Sequence, residues 1–433
     1  MSFRGKMWTL LISSVVAAYV LVGGLPFVGT MLQTQAQQPI NDPGAQLRIF
    51  ESVLQHIQND YVDEPDLAKV RAGALRGLVA GLDPYSSYLT PEQVKEFGSP
   101  QNGKKVGIGA ELSQVSQYLY VISVVKGSNA EKAGLKAGDV IEYIENKATR
   151  DISLYDAKQM VMGEPGTVVS MRVLRAGERS QAIKITRGTY QVPKAESTIA
   201  EGKTGVIKVF SLEDGEAEDI RGQVESLKKQ GVEKIVLDLR GVAAGKLQEA
   251  VAVANIFIRE GEIAKVMGRD NKVINTFAAD PAKHLFDGKV AVLIDFSSAG
   301  AAEAVAAAVL DRKRGEVVGE RSFGAGAEQQ LFTLRGGDGL FLTTSKWASP
   351  SGVPFLGDSR DSRGVKPSVE VKRPETPEAG EVEELIEQQD EEAPQQPQPT
   401  ASPKPAAKPA AEDIQLKRAI EVLNGKAQAA KAG

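Results

Sequence analysis

Two short stretches of this 433-residue chain hold residue types that could do covalent chemistry: residues 295–305, "DFSSAGAAEAV", and 321–330, "RSFGAGAEQQ". Hydroxyls at Ser297, Ser298 and Ser322 and carboxylates at Asp295 and Glu303, set among glycines and alanines, suit the wall of a serine-hydrolase site. Such a site also needs a base within hydrogen-bonding reach of its hydroxyl, a histidine or an uncharged lysine. Neither stretch supplies one, and Lys313 and Lys346 are the nearest lysines in sequence. The two histidines, His56 in a helical apolar pattern and His284 in "DPAKHLFDG", have no serine motif beside them and read as packing or surface residues. The chain has no cysteine, which excludes disulfides, thiolate metal sites and cysteine nucleophiles. No metal or organic cofactor is called for. Ser297 and Ser298 read as helix-start residues satisfying backbone amides; Glu303 reads as part of the same helix start and Asp295 as a strand end.

A second stretch could bind rather than react. Gly107, Ile108, Gly109 and Ala110 form a loop of mostly small residues, in which glycine freedom lets neighbouring amides converge on an anion. Lys104 and Lys105 stand just upstream. The plainer alternative is a tight turn into the following strand.

The elements that must position these residues are legible in the pattern. Arg4 and Lys6 precede an uncharged run, residues 7–38, long enough to span a bilayer. Segment 1–38 is therefore expected to be a membrane anchor or a signal peptide cut near Thr34, Gln35 and Ala36, with everything after it exported to a periplasmic or other extracytoplasmic space. Leu47, Phe50, Leu54, Ile57 and Tyr61 then recur at three- and four-residue spacings, and a second helical face follows, so 45–98 reads as a small helical domain. Over 104–190 short alternating strands and two helices make one compact module. Over 198–372 near-continuous apolar strands ("TGVIKVF", "KIVLDL", "VAVLID") alternate with helices at 216–230, 247–258 and 301–312, the signature of βαβ units around a mostly parallel sheet. Residues 374–412 are rich in proline, glutamine and acids and are expected to be disordered; 413–433 is a short helix or tail. The fold class is α/β in an α+β multidomain chain. A formal net charge of −4 with no basic block argues against nucleic acid as a partner.

In this order the chain resembles the carboxyl-terminal processing peptidases, the tail-specific serine proteases. "YVDE", "GALRGLVAGLDPYSSYLTPEQ", "GIGAEL", "AEKAGLKAGDVI", "LDLRG", "AVAVANIFI", "VVGERSFGAG", "LTTSKWASPSG" and "GVKPSVEV" carry the resemblance from Gln46 to about Val371. It implies that 104–190 is a PDZ domain inserted between a helical N-terminal domain and a crotonase-type α/β protease core at 198–372. Gly107, Ile108, Gly109 and Ala110 become the loop that takes a peptide's terminal carboxylate. The resemblance also implies a Ser-Lys dyad, with the serine in a pattern like S-A-S-A-S-E and the lysine in G-K-G. Here Gly300 occupies the nucleophile position and Ala325 the base position, while Gln329 matches a supporting glutamine and Gly245 a glycine near the oxyanion site. Val242 and Ala244 depart from the usual oxyanion loop, and Tyr85 replaces a common histidine.

The expectation is a PDZ-bearing, non-catalytic relative that binds peptide or protein C-termini as adaptor, decoy or partner subunit. Further partners are an active family peptidase, a second copy of itself, and the inner membrane through the N-terminal segment. Two alternatives stay open, an active endopeptidase with a rearranged Ser/Lys dyad and a structural oligomer with an inactive groove.

Overall fold

A computed structural model describes residues 42–99, 102–115, 117–359, 361–373 and 412–425. The apolar run at 7–38 and nearly all of 374–412 lie outside them. The chain divides into two units, one ending at Arg71 and one beginning at Ala72.

In the first unit, Asp42 caps helix α1 (Pro43–Asp60) by accepting from the amides of Gly44 and Ala45 at 3.2 and 3.1 Å, and a proline at the first turn loses no needed donor. Helix α2 (Leu67–Ala80) runs on into the second unit, where strand β1 (Ser87–Leu89) and helix α3 (Pro91–Phe97) follow. A reciprocal capping box between Thr90 and Gln93 starts α3.

The module after α3 is a sheet of β2 (Ala110–Val115), β3 (Tyr118–Val124), β4 (Val140–Ile144), β5 (Lys147–Ala148), β6 (Val168–Leu174) and β7 (Gln181–Thr186). Its order is β2-β3-β4-β6-β7, with β5 paired to β4, so β2 stands at an edge. Helices α4 (Asn129–Lys132) and α5 (Leu154–Val161) close its core, Ala130, Leu154, Ala157 and Val161 packing against Leu112, Leu119, Ile141 and Val169.

The core domain is built on a sheet ordered β17-β14-β13-β10-β9-β8: β8 (Glu196–Ala200), β9 (Thr204–Lys208), β10 (Lys234–Asp238), β13 (Lys289–Ile294), β14 (Gly315–Gly319) and β17 (Val369–Glu370). All pairings are parallel except β8 with β9. Strict alternation sends Ile235, Leu237, Val290, Val292 and Ile294 to one face, against helices α6 (Glu216–Lys229), α7 (Leu247–Phe257) and α8 (Ala301–Asp311). It sends Val206, Val236, Ala291, Leu293 and Val318 to the other, where Ala419 and Leu423 of helix α9 (Ile414–Leu423) cover them. Burial on both faces is why these strands read as unbroken apolar runs. A third sheet joins β1, β11 (Glu262–Met267), β12 (Val273–Ala278), β15 (Ala327–Thr333) and β16 (Gly339–Ala348).

Candidate active site

Strand β13 delivers the chain to the site. Asp295, at its end and almost fully buried, accepts through Oδ1 from the amides of Gly241 and Ser297 at 3.1 and 3.0 Å, with Ser298 Oγ 3.2 Å away. Its Oδ2 accepts from Arg373 Nη2 at 2.9 Å. That carboxylate holds the loop that climbs to Gly300, the residue capping α8. Gly300 has φ +54° and ψ −104°, outside the regions that L-residues readily occupy. A strand turning sharply into a helix on one strained residue is the geometry that exposes a nucleophile at a helix mouth. Here that position is buried and carries only hydrogen. There is room for more, since a Cβ on Gly300 would come no closer than 3.5 Å to Trp347 Cζ3.

The second loop is bound to the first by Glu303, fully buried in the first turn of α8. Its Oε2 accepts from the amides of Gly300 at 2.7 Å and Ala325 at 2.8 Å; its Oε1 accepts from the Gly324 amide at 2.7 Å and Ser322 Oγ at 2.5 Å. By those distances the backbone nitrogens of Gly300 and Ala325 lie at most about 5.5 Å apart. Burial pushes the Glu303 carboxyl up to about 7, against the lowering pull of these four donors. Gly324 and Gly326, at φ +91° and +106°, give the second loop its path; a Cβ at Gly324 would stand 2.6 Å from Arg363 Cβ.

The structure therefore brings together the two positions that the sequence singled out, and neither has a reacting group. The remaining hydroxyls are committed elsewhere. Ser298 is fully buried, donating to Leu239 O at 2.9 Å and accepting from the Asp295 amide. Ser322 gives its proton to Glu303 and accepts from the Val365 amide at 2.7 Å. Ser297 and Lys346 both line a cavity of about 1900 Å³ that runs beside the site, together with Asp83, Arg240, Asp295 and Arg363. Among the described residues no serine hydroxyl is hydrogen-bonded to a lysine amine. Lys313 lies just past the far end of α8, about 16 Å along the helix from its start.

The supporting residues are placed as follows. Gly245 lies against α8, where a Cβ would meet Ala301 Cβ at 2.9 Å and Leu212 Cβ at 2.6 Å. Its loop is tied down by Lys246 N to Leu212 O at 2.8 Å and Leu212 N to Ala244 O at 3.0 Å, while Val242 O accepts from the Ala299 amide at 2.9 Å. Gln329 points its Nε2 at Thr343 Oγ1, 3.4 Å away, and that hydroxyl donates to Asp83. Tyr85 accepts from Ser113 of β2 at 3.2 Å, and burial pushes its hydroxyl up to about 12. Over the site, Ile122 of β3 is buried with Ala299 and Phe323, and Val115, Ala243, Phe296 and Ala325 pack around them. The module's sheet thus contributes Ile122 to the apolar cluster in which Ala325 sits.

In the module, Ile108 is buried in the core, its carbonyl accepting from the Ala130 amide, and Gly107 O accepts from the Gly188 amide. Gly109, at φ +85°, passes so close to Ser128 that a Cβ would stand 2.2 Å from Ser128 Cβ. Among the described residues no acceptor pairs with the amides of Ile108 and Gly109. Ala110 then starts β2, opposite Val124. Lys105 forms an ion pair with Glu96, and Lys158 of α5 stands 3.9 Å from Glu111 of β2.

Comparison with known proteins agrees with this architecture. Residues 203–371 match the model of peptidase family S41 and residues 120–175 that of a PDZ domain. A Staphylococcus aureus (strain MRSA252) protein named "Probable CtpA-like serine protease" is 32% identical over 85% of this chain and 73% of its own length. A Staphylococcus epidermidis protein of the same name is 31% identical over 85% and 74%. The S. aureus strain MSSA476 relative is 34% identical over 76% of this chain, which spans 66% of that relative's length. Among solved structures, the photosystem II D1 C-terminal processing protease superposes with a TM-score of 0.62 at 25% identity, over 75% of this chain and 86% of that one. The chain belongs to the carboxyl-terminal processing peptidases of family S41 and carries the PDZ domain that accompanies their α/β core.

Proposed function

We propose that this protein binds peptide or protein C-termini without cutting them, as an adaptor, a decoy or a partner subunit of an active relative. The observation that carries the reading is the pairing of Gly300 and Ala325 on one carboxylate oxygen of Glu303. The two positions meet, the strained turn is kept, and no side-chain oxygen or amine is present. An acyl-enzyme needs a nucleophilic atom, and backbone amides alone cannot supply one. Binding rests on the PDZ module: β2 is an edge strand, and the amides of Ile108 and Gly109 are available to a terminal carboxylate. The uncharged run at 7–38 behind Arg4 and Lys6 supports export and attachment to a membrane, or secretion after cleavage.

The test measures two things on the same protein. Peptides with a free C-terminus bind saturably and lose affinity when that terminus is amidated. An unstructured substrate stays intact through prolonged incubation. Cleavage by the wild-type chain that disappears in Ser297→Ala would overturn the reading in favour of a relocated hydroxyl on the neighbouring cavity.

A further inference from the structure

We infer that the PDZ groove selects peptide C-termini whose penultimate residue is basic, and that Glu111 of β2 makes the choice. The inference rests on the proposed C-terminal binding and names its substrate class. With the terminal carboxylate on the amides of Ile108 and Gly109, just before β2 begins at Ala110, a peptide added to this edge runs antiparallel to β2. Its last residue then lies beside Ala110 and its penultimate residue opposite Glu111. Residues directly opposite in an antiparallel pair project to the same face, so these two side chains are neighbours.

Alternation along β2 decides what the peptide meets. Ala110 and Leu112 turn to the face on which Ala157 and Val161 of α5 pack, an apolar surround for the last residue. Glu111 turns to the other face, with Ser113, which is buried against Tyr85, and Val115, which packs with Ile122. It is the one charged residue in β2, and it stands only partly covered. Its charge is poorly matched. Lys158 of α5 reaches toward it past the free edge of β2 and still stands 3.9 Å away, beyond hydrogen-bonding length. Burial pushes the Glu111 carboxyl up against the pull of Lys158, and the Glu213 carboxylate adds to the rise. A peptide strand laid along the edge comes between Lys158 and Glu111 and parts them. A lysine or arginine at the penultimate position returns a cation to the carboxylate, whereas a glutamate there sets a third negative charge beside Glu111 and Glu213.

The test is fluorescence anisotropy on the full chain in mild detergent. Three labelled peptides end in valine and differ only in lysine, glutamine or glutamate at the penultimate position. The lysine peptide is expected to bind about five- to ten-fold more tightly than the glutamate peptide, with glutamine between them. Glu111→Gln levels the three, and Glu111→Lys reverses their order, which also shows that the variant module is folded. Amidated versions of the same peptides separate two failures. Equal affinities in the wild-type chain, with binding still lost on amidation, overturn this inference alone. Binding that ignores amidation, or no binding at all, overturns the C-terminal reading and this inference with it. A lysine preference that survives Glu111→Gln unchanged overturns the role of Glu111.

Discussion

Restoring both missing side chains, Gly300→Ser with Ala325→Lys, should convert the chain into a peptidase, and the structure sets what this costs and gains. Gly300 sits at φ +54° with its nearest would-be neighbour at 3.5 Å, so a serine meets no clash and bears only backbone strain of about 1–3 kcal/mol. For a domain of this size that lowers the melting temperature by roughly 2–10 °C. The new lysine would stem from a loop packed with Ile122, Phe296 and Phe323. Burial among such groups lowers an amine's pKa, toward the range in which it can take a serine proton. Because the two backbone nitrogens are no more than about 5.5 Å apart, the serine hydroxyl and the lysine amine can meet. The assay is time-resolved cleavage of an unstructured peptide between pH 7 and 10 by wild type, each single variant and the double variant. Activity is expected only in the double variant, rising with pH through the lysine's titration. A folded double variant that remains inert would refute the claim that the missing groups are the difference, and would point instead to Val242, Ala244 or the apolar packing of Ile122 against Ala325.

Other perturbations test the surrounding structure. Glu303, with its carboxyl raised from 4.5 to about 7, contributes stability that is complete below its unfolded value and is lost as pH rises through 7, on the order of 3 kcal/mol in all. Glu303→Gln should flatten the dependence of denaturation midpoint on pH between 5 and 8, and should be less stable at pH 5 because an amide NH₂ then faces backbone donors; an unchanged slope would show that Glu303 does not titrate there. Gly109→Ala, which sets a methyl 2.2 Å from Ser128 Cβ, should destabilise the PDZ module by several kcal/mol, seen as loss of peptide binding together with its thermal transition. Asp413→Ala removes one of the partners of Arg240, whose two hydrogen bonds to it measure 2.9 and 2.7 Å, and leaves the pairing of Arg240 with Asp238. With Asp413 partly exposed, the expected cost is about 1 kcal/mol, read as faster amide exchange confined to 414–423.

The parallel sheet was legible in the sequence because it rests on local signals. "KIVLDL" and "VAVLID" are apolar at every register since α6 to α8 cover one face of their sheet and α9 the other. Gly300 and Ala325 stand in recognisable strings. What local reading missed depends on distant partners. The three-residue β1 exists as a strand only through its pairing with β16, some 250 residues away. β12 is an exposed edge whose residues show no buried alternation, although β11 pairs it firmly. Glu303 was readable as a helix-start residue, but its grip on Ser322, Gly324 and Ala325 joins loops about twenty residues apart and leaves no spacing signature. Lys105, just before Gly107 in sequence, is taken up by Glu96.

Helix α9 is held by side-chain contacts to the sheet it covers, among them Gln415 Nε2 to Val371 O at 2.8 Å and Lys234 Nζ to Asn424 Oδ1 at 2.6 Å. The chain thus leaves the described core at Arg373 and comes back, at α9, almost to its point of departure. A chain cut between Arg373 and Glu412 would turn a unimolecular contact into a bimolecular one, and a helix secure at any dilution would become a ligand with a dissociation constant. A nicked protein would lose its last helix on dilution and wet the faces of Val206, Val236, Ala291, Leu293 and Val318.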